Sequence, residues 1–251
     1  MRVHPELPAV LAYDGDATHV ALSVTLLADT HTPISLFRSL ADREGDTFLF
    51  ESVTGGEITG RWSFLGLDVR GRLLLDDGTA TLERRGRPPE SRAYADPLEA
   101  LREHLWTVWN PSPVPRHPAG LVGWLGFDAV GRFEPKIRLA AGAGLGAPEG
   151  AFLLVDTVAA YDHVSRRLTL ILHVPLNGDR AGAYEAGAER LLALVGRFAT
   201  ARLAPEAPWV VPDAPELPVE VVANRADGDL ADAVTRARAA IEAGEVFQVV
   251  P

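Results

Sequence analysis

Residues 151–174 read AFLLVDTVAAYDHVSRRLTLILHV. Two apolar, β-branched runs flank a polar break at DHVSRR. Such content is that of two long strands, buried on both faces and joined by a short turn. Just upstream, AGLVGWLGFDAVGRFE (119–134) holds too many glycines for a helix and predicts a strand and tight turn whose backbone packs closely against a neighbour. Just downstream, residues 181–200 predict a helix with Tyr184, Leu191, Leu192, Val195 and Phe198 toward the core.

Further upstream the strand signals multiply. THVALSVTLL (18–27) alternates as a strand, and in THTPISLFRSL (30–40) Thr32 caps a helix that Pro33 opens and that runs to about Ala41. FLFESVTGGEITGRWSFLG (48–66) predicts a hairpin with a long glycine-rich loop, its second strand at Arg61–Leu65. VRGRLLLDDGTATLERRG (69–86) predicts another across Asp77-Gly78. DPLEALREHLWTVWN (96–110) predicts a helix capped by Asp96, opened by Pro97, with Glu99 in a capping box and a stripe of Leu98, Leu101, Leu105 and Val108. NPSP at Asn110–Pro113 then stops it. Strands with a few helices, without regular βαβ alternation, predict an α+β fold with a mainly antiparallel sheet or sandwich and a few flanking helices.

The composition changes after residue 204. APEAPWVVPDAPELPVEVV carries prolines at 205, 208, 212, 215 and 218, which no sheet interior tolerates, so 205–224 is expected to be a linker. Beyond it, Leu230, Val234, Ala237 and Ile241 share one helix face, with Asp229 as cap and Gly244 as stop, and EVFQVVP is expected to begin a strand. The expected division is therefore 1–204, 205–224 and 225–251.

Bulk composition narrows the function. A formal net charge of -10 repels a phosphate backbone, which sets nucleic acid aside. Without cysteine there is no disulfide framework, thiolate zinc site or cysteine nucleophile. No apolar run is long enough to span a bilayer, and MRVHPELPAVLAYDGD lacks a signal-peptide pattern, so a soluble cytoplasmic protein is expected. GAGLGA (142–147) matches a loose dinucleotide pattern, but Pro148 and Glu149 follow where a helix should open, so a loop is expected. The seven histidines show no metal-binding spacing. Trp106 and Trp109 read as packing residues.

One stretch poses a chemical question. In FLFES, Phe48 and Phe50 occupy one side of a strand and Leu49 and Val53 the other, yet Glu51 and Ser52 interrupt it. A polar group on an apolar strand needs a partner. In one reading Glu51 pairs with Arg61 across the hairpin and Ser52 bonds to the backbone. In the other the two residues hold an external ligand.

Four stretches together resemble component I of anthranilate synthase. FLFES with GRWS is similar to that family's "LLES…GRYS", and TPISLF (32–37) to its "TPVSLF". GLVGWLGFDAVGRFE (120–134) is similar to "GxxGYxxYDxVRxxE", and AIEAGEVFQVVP (240–251) to "xIxAGDxFQVVxSQRF". The stretches fall in the family's order across nearly the whole chain. The resemblance implies a regulatory amino-terminal domain at 1–204 and the start of a chorismate-binding domain at 225–251. It implies that the family's magnesium-binding glutamates lie beyond Pro251, so that the chain is a fragment, inactive alone and holding no metal ligands of its own. The full-length lyase would convert chorismate and ammonia, with Mg2+, to anthranilate and pyruvate in tryptophan biosynthesis. A glutamine amidotransferase subunit would supply the ammonia.

The resemblance also assigns roles. Leu49, Phe50, Glu51 and Ser52, with Pro33 nearby, would hold L-tryptophan as a feedback inhibitor; phenylalanine at 50 departs from the family's leucine. Gln248 occupies a position where members that add water carry a lysine base and members that add ammonia carry glutamine. Otherwise Gln248 merely bonds a neighbouring strand, and one residue does not separate the two. Two alternatives stay open: component I of 4-amino-4-deoxychorismate synthase, and a non-catalytic tryptophan-binding or interaction module.

Overall fold

Two strands, β8 (Gly150–Asp162) and β9 (Arg167–Pro175), form the central hairpin that the sequence announces. From Val155 to Asp162 and from Leu168 to Val174 their residues are almost solvent-free. The computed structural model describes residues 2–41, 45–52, 60–111, 120–134, 136–137, 146–200, 226 and 228–250. The chain divides into two compact units, Met1–Pro205 and Glu206–Pro251.

In the first unit the remaining strands are β1 (His19–Leu27), β2 (Phe48–Phe50), β3 (Trp62–Asp76), β4 (Thr79–Arg84), β5 (Glu90–Ala93), β6 (Val108–Trp109) and β7 (Gly120–Leu125). They make one curled nine-stranded sheet in the order β5-β4-β3-β8-β9-β1-β6, with β2 added to β3 and β7 to β8. All pairs are antiparallel except β1 with β6. The α+β expectation therefore holds. The two hairpins read separately at 48–66 and 69–86 share a single strand, β3. Strands β3 and β8 pair along their whole length and change their outer partners midway. On β3 the partner changes from β2 to β4, and on β8 from β9 to β7. A register shift between Val69 and Gly71 marks the bend.

Helices α1 (Leu7–Leu11), α2 (Pro33–Leu40) and α5 (Arg180–Thr200) cover one face. Val10, Leu36, Leu40, Leu191 and Leu194 meet Leu22, Leu65, Leu170 and Leu172 in the main core. Each such leucine contributes about 1.5–3 kcal/mol by leaving water. Thr32 caps α2 by accepting from the Ser35 N–H, and the Ser35 side chain accepts from Thr32 in return. In α5, Leu191 and Val195 are buried as expected, but Leu192 is half-exposed. It lies one residue, about 100°, off the stripe that Gly187, Leu191, Leu194 and Val195 bury.

The larger correction falls on 96–110. Helix α3 is only Pro97–Arg102; Asp96 caps it through the Leu98 N–H at 2.8 Å. Leu98 and Leu105 are exposed, and Ala100 is the buried contact. Val108 and Trp109 instead form β6, pairing with His19 and Val20. Asn110 and Pro111 thus follow a strand, not a helix. In Gly120–Leu125 the close packing occurs as read: a Cβ on Gly123 would overlap the Ala151 carbonyl. A short helix, α4 (Val130–Phe133), comes next despite the glycines.

In the second unit α6 spans Asp229–Glu242. Gly228, not Asp229, takes the N-cap. Gly244 has φ +73°, and the Gly244 and Glu245 N–H groups bond back to the Ile241 and Ala240 carbonyls, closing the helix as expected. Residues 246–250 form no strand, because a strand exists only when paired and no partner among the described residues bonds them. The loop at 53–59, most of GAGLGA and the expected linker lie outside the described residues. No helix among the described residues is long and apolar enough to cross a membrane.

Candidate functional site

The two polar residues at the end of β2 have different fates. Ser52 is tied to the neighbouring strand: its hydroxyl donates to the Trp62 carbonyl at 2.8 Å, and its N–H donates to Ser63 Oγ at 3.2 Å. Ser63 is fully buried, and its Oγ lies 2.7 Å from His163 Nε2. Glu51 is exposed and takes no partner among the described residues.

The alternative pairing of Glu51 with Arg61 is not formed. Arg61 lays its guanidinium on Asp162, with Nε and Nη2 at 3.1 and 2.7 Å from the two carboxylate oxygens. Burial raises the Asp162 pKa, but Arg61, Ser165 and the Val164 and Ser165 N–H groups outweigh it and bring it down to about 2. Ser52 does bond the backbone, as the structural alternative held.

The sheet register gathers the other expected residues. Leu49 lies opposite Leu65 and packs on the main core, while Phe50 lies opposite Phe64 with its ring 4.8 Å from that of Phe48. Ser63 pairs opposite Tyr161, whose hydroxyl donates to the His31 carbonyl at 3.0 Å. That carbonyl directly precedes Thr32 and buried Pro33, the start of α2. Leu49, Phe50, Glu51 and Ser52 thus sit at one end of the β2–β3 pair, and Pro33 is joined to that end through Tyr161. Gln248 belongs to the second unit, exposed and outside any strand.

The residues missed from sequence are Ser63, Tyr161 and His163. They were legible in principle, because each puts a polar group in or beside an apolar strand, the criterion that singled out Glu51.

The arrangement offers two acceptors on consecutive residues. The Ser52 hydroxyl has given its hydrogen to Trp62 but keeps lone pairs, and the Glu51 carboxylate is uncommitted. An ammonium group complements both, and half-exposed Phe50 adds an aromatic face. Among the described residues no group of three or more His, Asp or Glu side chains could hold a metal ion. These residues do not fit a magnesium site.

Comparison with known proteins places this geometry in context. Residues 45–251 match the model of a family described as chorismate binding enzyme. Anthranilate synthase component 1 of Mycolicibacterium smegmatis is 35% identical over 233 residues, 90% of this chain and 43% of that protein. The protein of the same name from Pseudomonas aeruginosa is 32% identical, covering 96% of this chain and 49% of its own length. That from Streptomyces coelicolor is 32% identical over 98% of this chain and 45% of its own. The chain spans about half the length of the curated relatives it matches. A crystal structure of anthranilate synthase component I from Streptococcus pneumoniae aligns with a TM-score of 0.48 and 20% identity, over 87% of this chain and 45% of that one.

Proposed function

This chain belongs to the chorismate binding enzyme family, and from that premise we propose that it is the front half of an anthranilate synthase component I. The observation that carries the reading is the near-complete coverage of this chain by relatives bearing that name. Residues 1–204 are then the regulatory domain, 205–224 the linker and 225–251 the start of the chorismate-binding domain. The whole enzyme converts chorismate and ammonia to anthranilate and pyruvate in the cytoplasm, with ammonia from a glutamine amidotransferase subunit. Magnesium serves that reaction, and no step on these residues runs through it. Gln248, an amide that cannot act as a base, suits addition of ammonia rather than water.

In this reading the end of the β2–β3 pair is the feedback site for L-tryptophan. The Glu51 carboxylate and the Ser52 Oγ lone pairs hold the ammonium of the amino acid, and its indole lies against Phe50, while Leu49 on the opposite, core-packed face of the strand positions the site. Ser63 and His163 act as positioning residues, since they hold the Ser52 backbone rather than the ligand.

The test is the product of the full-length enzyme. Supplied with chorismate, ammonium and magnesium, it should give anthranilate, read by its fluorescence. Accumulation of 4-amino-4-deoxychorismate in its place overturns the assignment.

A further inference from the structure

A concavity lies where β3 and β8 change partners. It is a cleft of about 1,220 Å3. Among the described residues six arginines line it, with the carboxylates of Asp46, Asp68, Glu83 and Asp156. The chain as a whole is acidic, at -10, whereas this described lining is rich in arginine.

The bend gathers several of those arginines. The register shift between Val69 and Gly71 brings Arg70 onto Asp156, which is 5% exposed. Arg190 reaches across from α5 to the same carboxylate at 3.2 Å and to Asp68 at 3.6 Å. One buried carboxylate therefore serves two guanidiniums. Arg72 is matched by Glu83 at 2.5 Å. Arg84 pairs at 3.0 Å with Glu90, which stands outside the lining. Arg87 lines the cleft with no ion-pair partner among the described residues.

Part of the cleft lining is aromatic. Trp106 donates its indole N–H to His173 Nδ1 at 2.9 Å, and its ring centroid lies 5.0 Å from that of His19. Burial foremost, and then Arg70, lowers the His19 pKa, so the cationic charge is that of the arginines. Guanidinium groups match the planar, bidentate geometry of carboxylate and phosphate. The volume exceeds the roughly 300–1,000 Å3 of ordinary small-molecule pockets, ample for more than one anionic group.

We infer that this cleft binds a small molecule carrying two or more oxyanion groups, phosphate or carboxylate. Arg72, Arg84 and Arg87 contact the anion, and Trp106 with His19 underlies it. Concavity favours a small ligand over a flat acidic protein surface. The inference does not depend on the chorismate reading, and its test reads binding alone.

Pyrophosphate and citrate are titrated calorimetrically into the 251-residue chain in a phosphate-free buffer at low ionic strength. One-site binding of either probe is expected, and the tighter one identifies the source as a phosphate ester or a polycarboxylate. Arg84→Ala with Arg87→Ala should weaken that probe about tenfold or more. Arg87→Ala alone breaks no ion pair among the described residues and should also weaken it. Arg167→Ala, exposed at the opposite end of β9 from His173 and Pro175, should leave it unchanged. No heat from either probe, or equal weakening by Arg167→Ala, overturns the inference.

Discussion

Glu51 and Ser52 make unequal demands on a bound amino acid. Glu51 supplies a full charge and has no competing partner among the described residues, whereas Ser52 keeps only its acceptor side. Glu51→Gln should therefore weaken tryptophan inhibition of the complete enzyme by about tenfold or more, and Ser52→Ala by less, with turnover retained in both. Inhibition curves that coincide with wild type would return both residues to a structural role. Asp162 carries the stability argument at this scale. Its pKa is lowered from 3.8 to about 2 in the folded chain, so its contribution is complete above about pH 4 and is lost as the pH falls toward 2. Asp162→Asn should cost roughly 2 kcal/mol at neutral pH, because Arg61 is left without its carboxylate partner. The variant should also show a flatter stability profile between pH 4 and pH 2. Urea unfolding at several pH values measures both.

The segment 96–110 shows how an element is decided by its neighbours. Its apolar spacing is helical, and Asp96-Pro97 starts a helix in sequence and in structure. A six-residue helix has no independent stability, so α3 persists through its cap and the burial of Pro97 and Ala100. Asp96→Ala should cost about 1 kcal/mol, seen as a lowered urea midpoint at unchanged slope. The helix ends because Trp106–Trp109 find better partners in the sheet than in a further helical turn. The Thr107 carbonyl accepts from the Thr18 and His19 N–H groups, Trp106 bonds His173, and Val108–Trp109 extends the sheet beyond β1. Pairing with β1 satisfies backbone groups there and sets Trp109 against Tyr13 at 4.5 Å. A period of apolar residues records none of this.

At the scale of the molecule, the chain spans about half the length of its curated relatives. By itself, given chorismate, ammonium and magnesium, it should produce no anthranilate fluorescence above background. A signal from the 251-residue chain would show that the chemistry needs less than the whole enzyme. The arginine-lined cleft is also a property of this scale, since its described arginines come from β3, from β4 and the turn after it, and from α5, and the bend of the sheet brings them together.

Local physics fixed the pieces. Buried β-branched runs specify β8 and β9, Thr32-Pro33 and Asp96-Pro97 specify helix starts, and Gly244 specifies a helix end, because each acts within a few residues of itself. Glu51 and Ser52 were visible for the same reason, as polar groups on an apolar strand. What the tertiary structure decided is everything that depends on a distant partner. Asp162 rather than Glu51 holds Arg61, Val108 and Trp109 join β1 rather than a helix, and β3 is one strand with two neighbours. Hydrogen bonds and ion pairs are satisfied by whichever group folding brings close, and that group is often more than a hundred residues away.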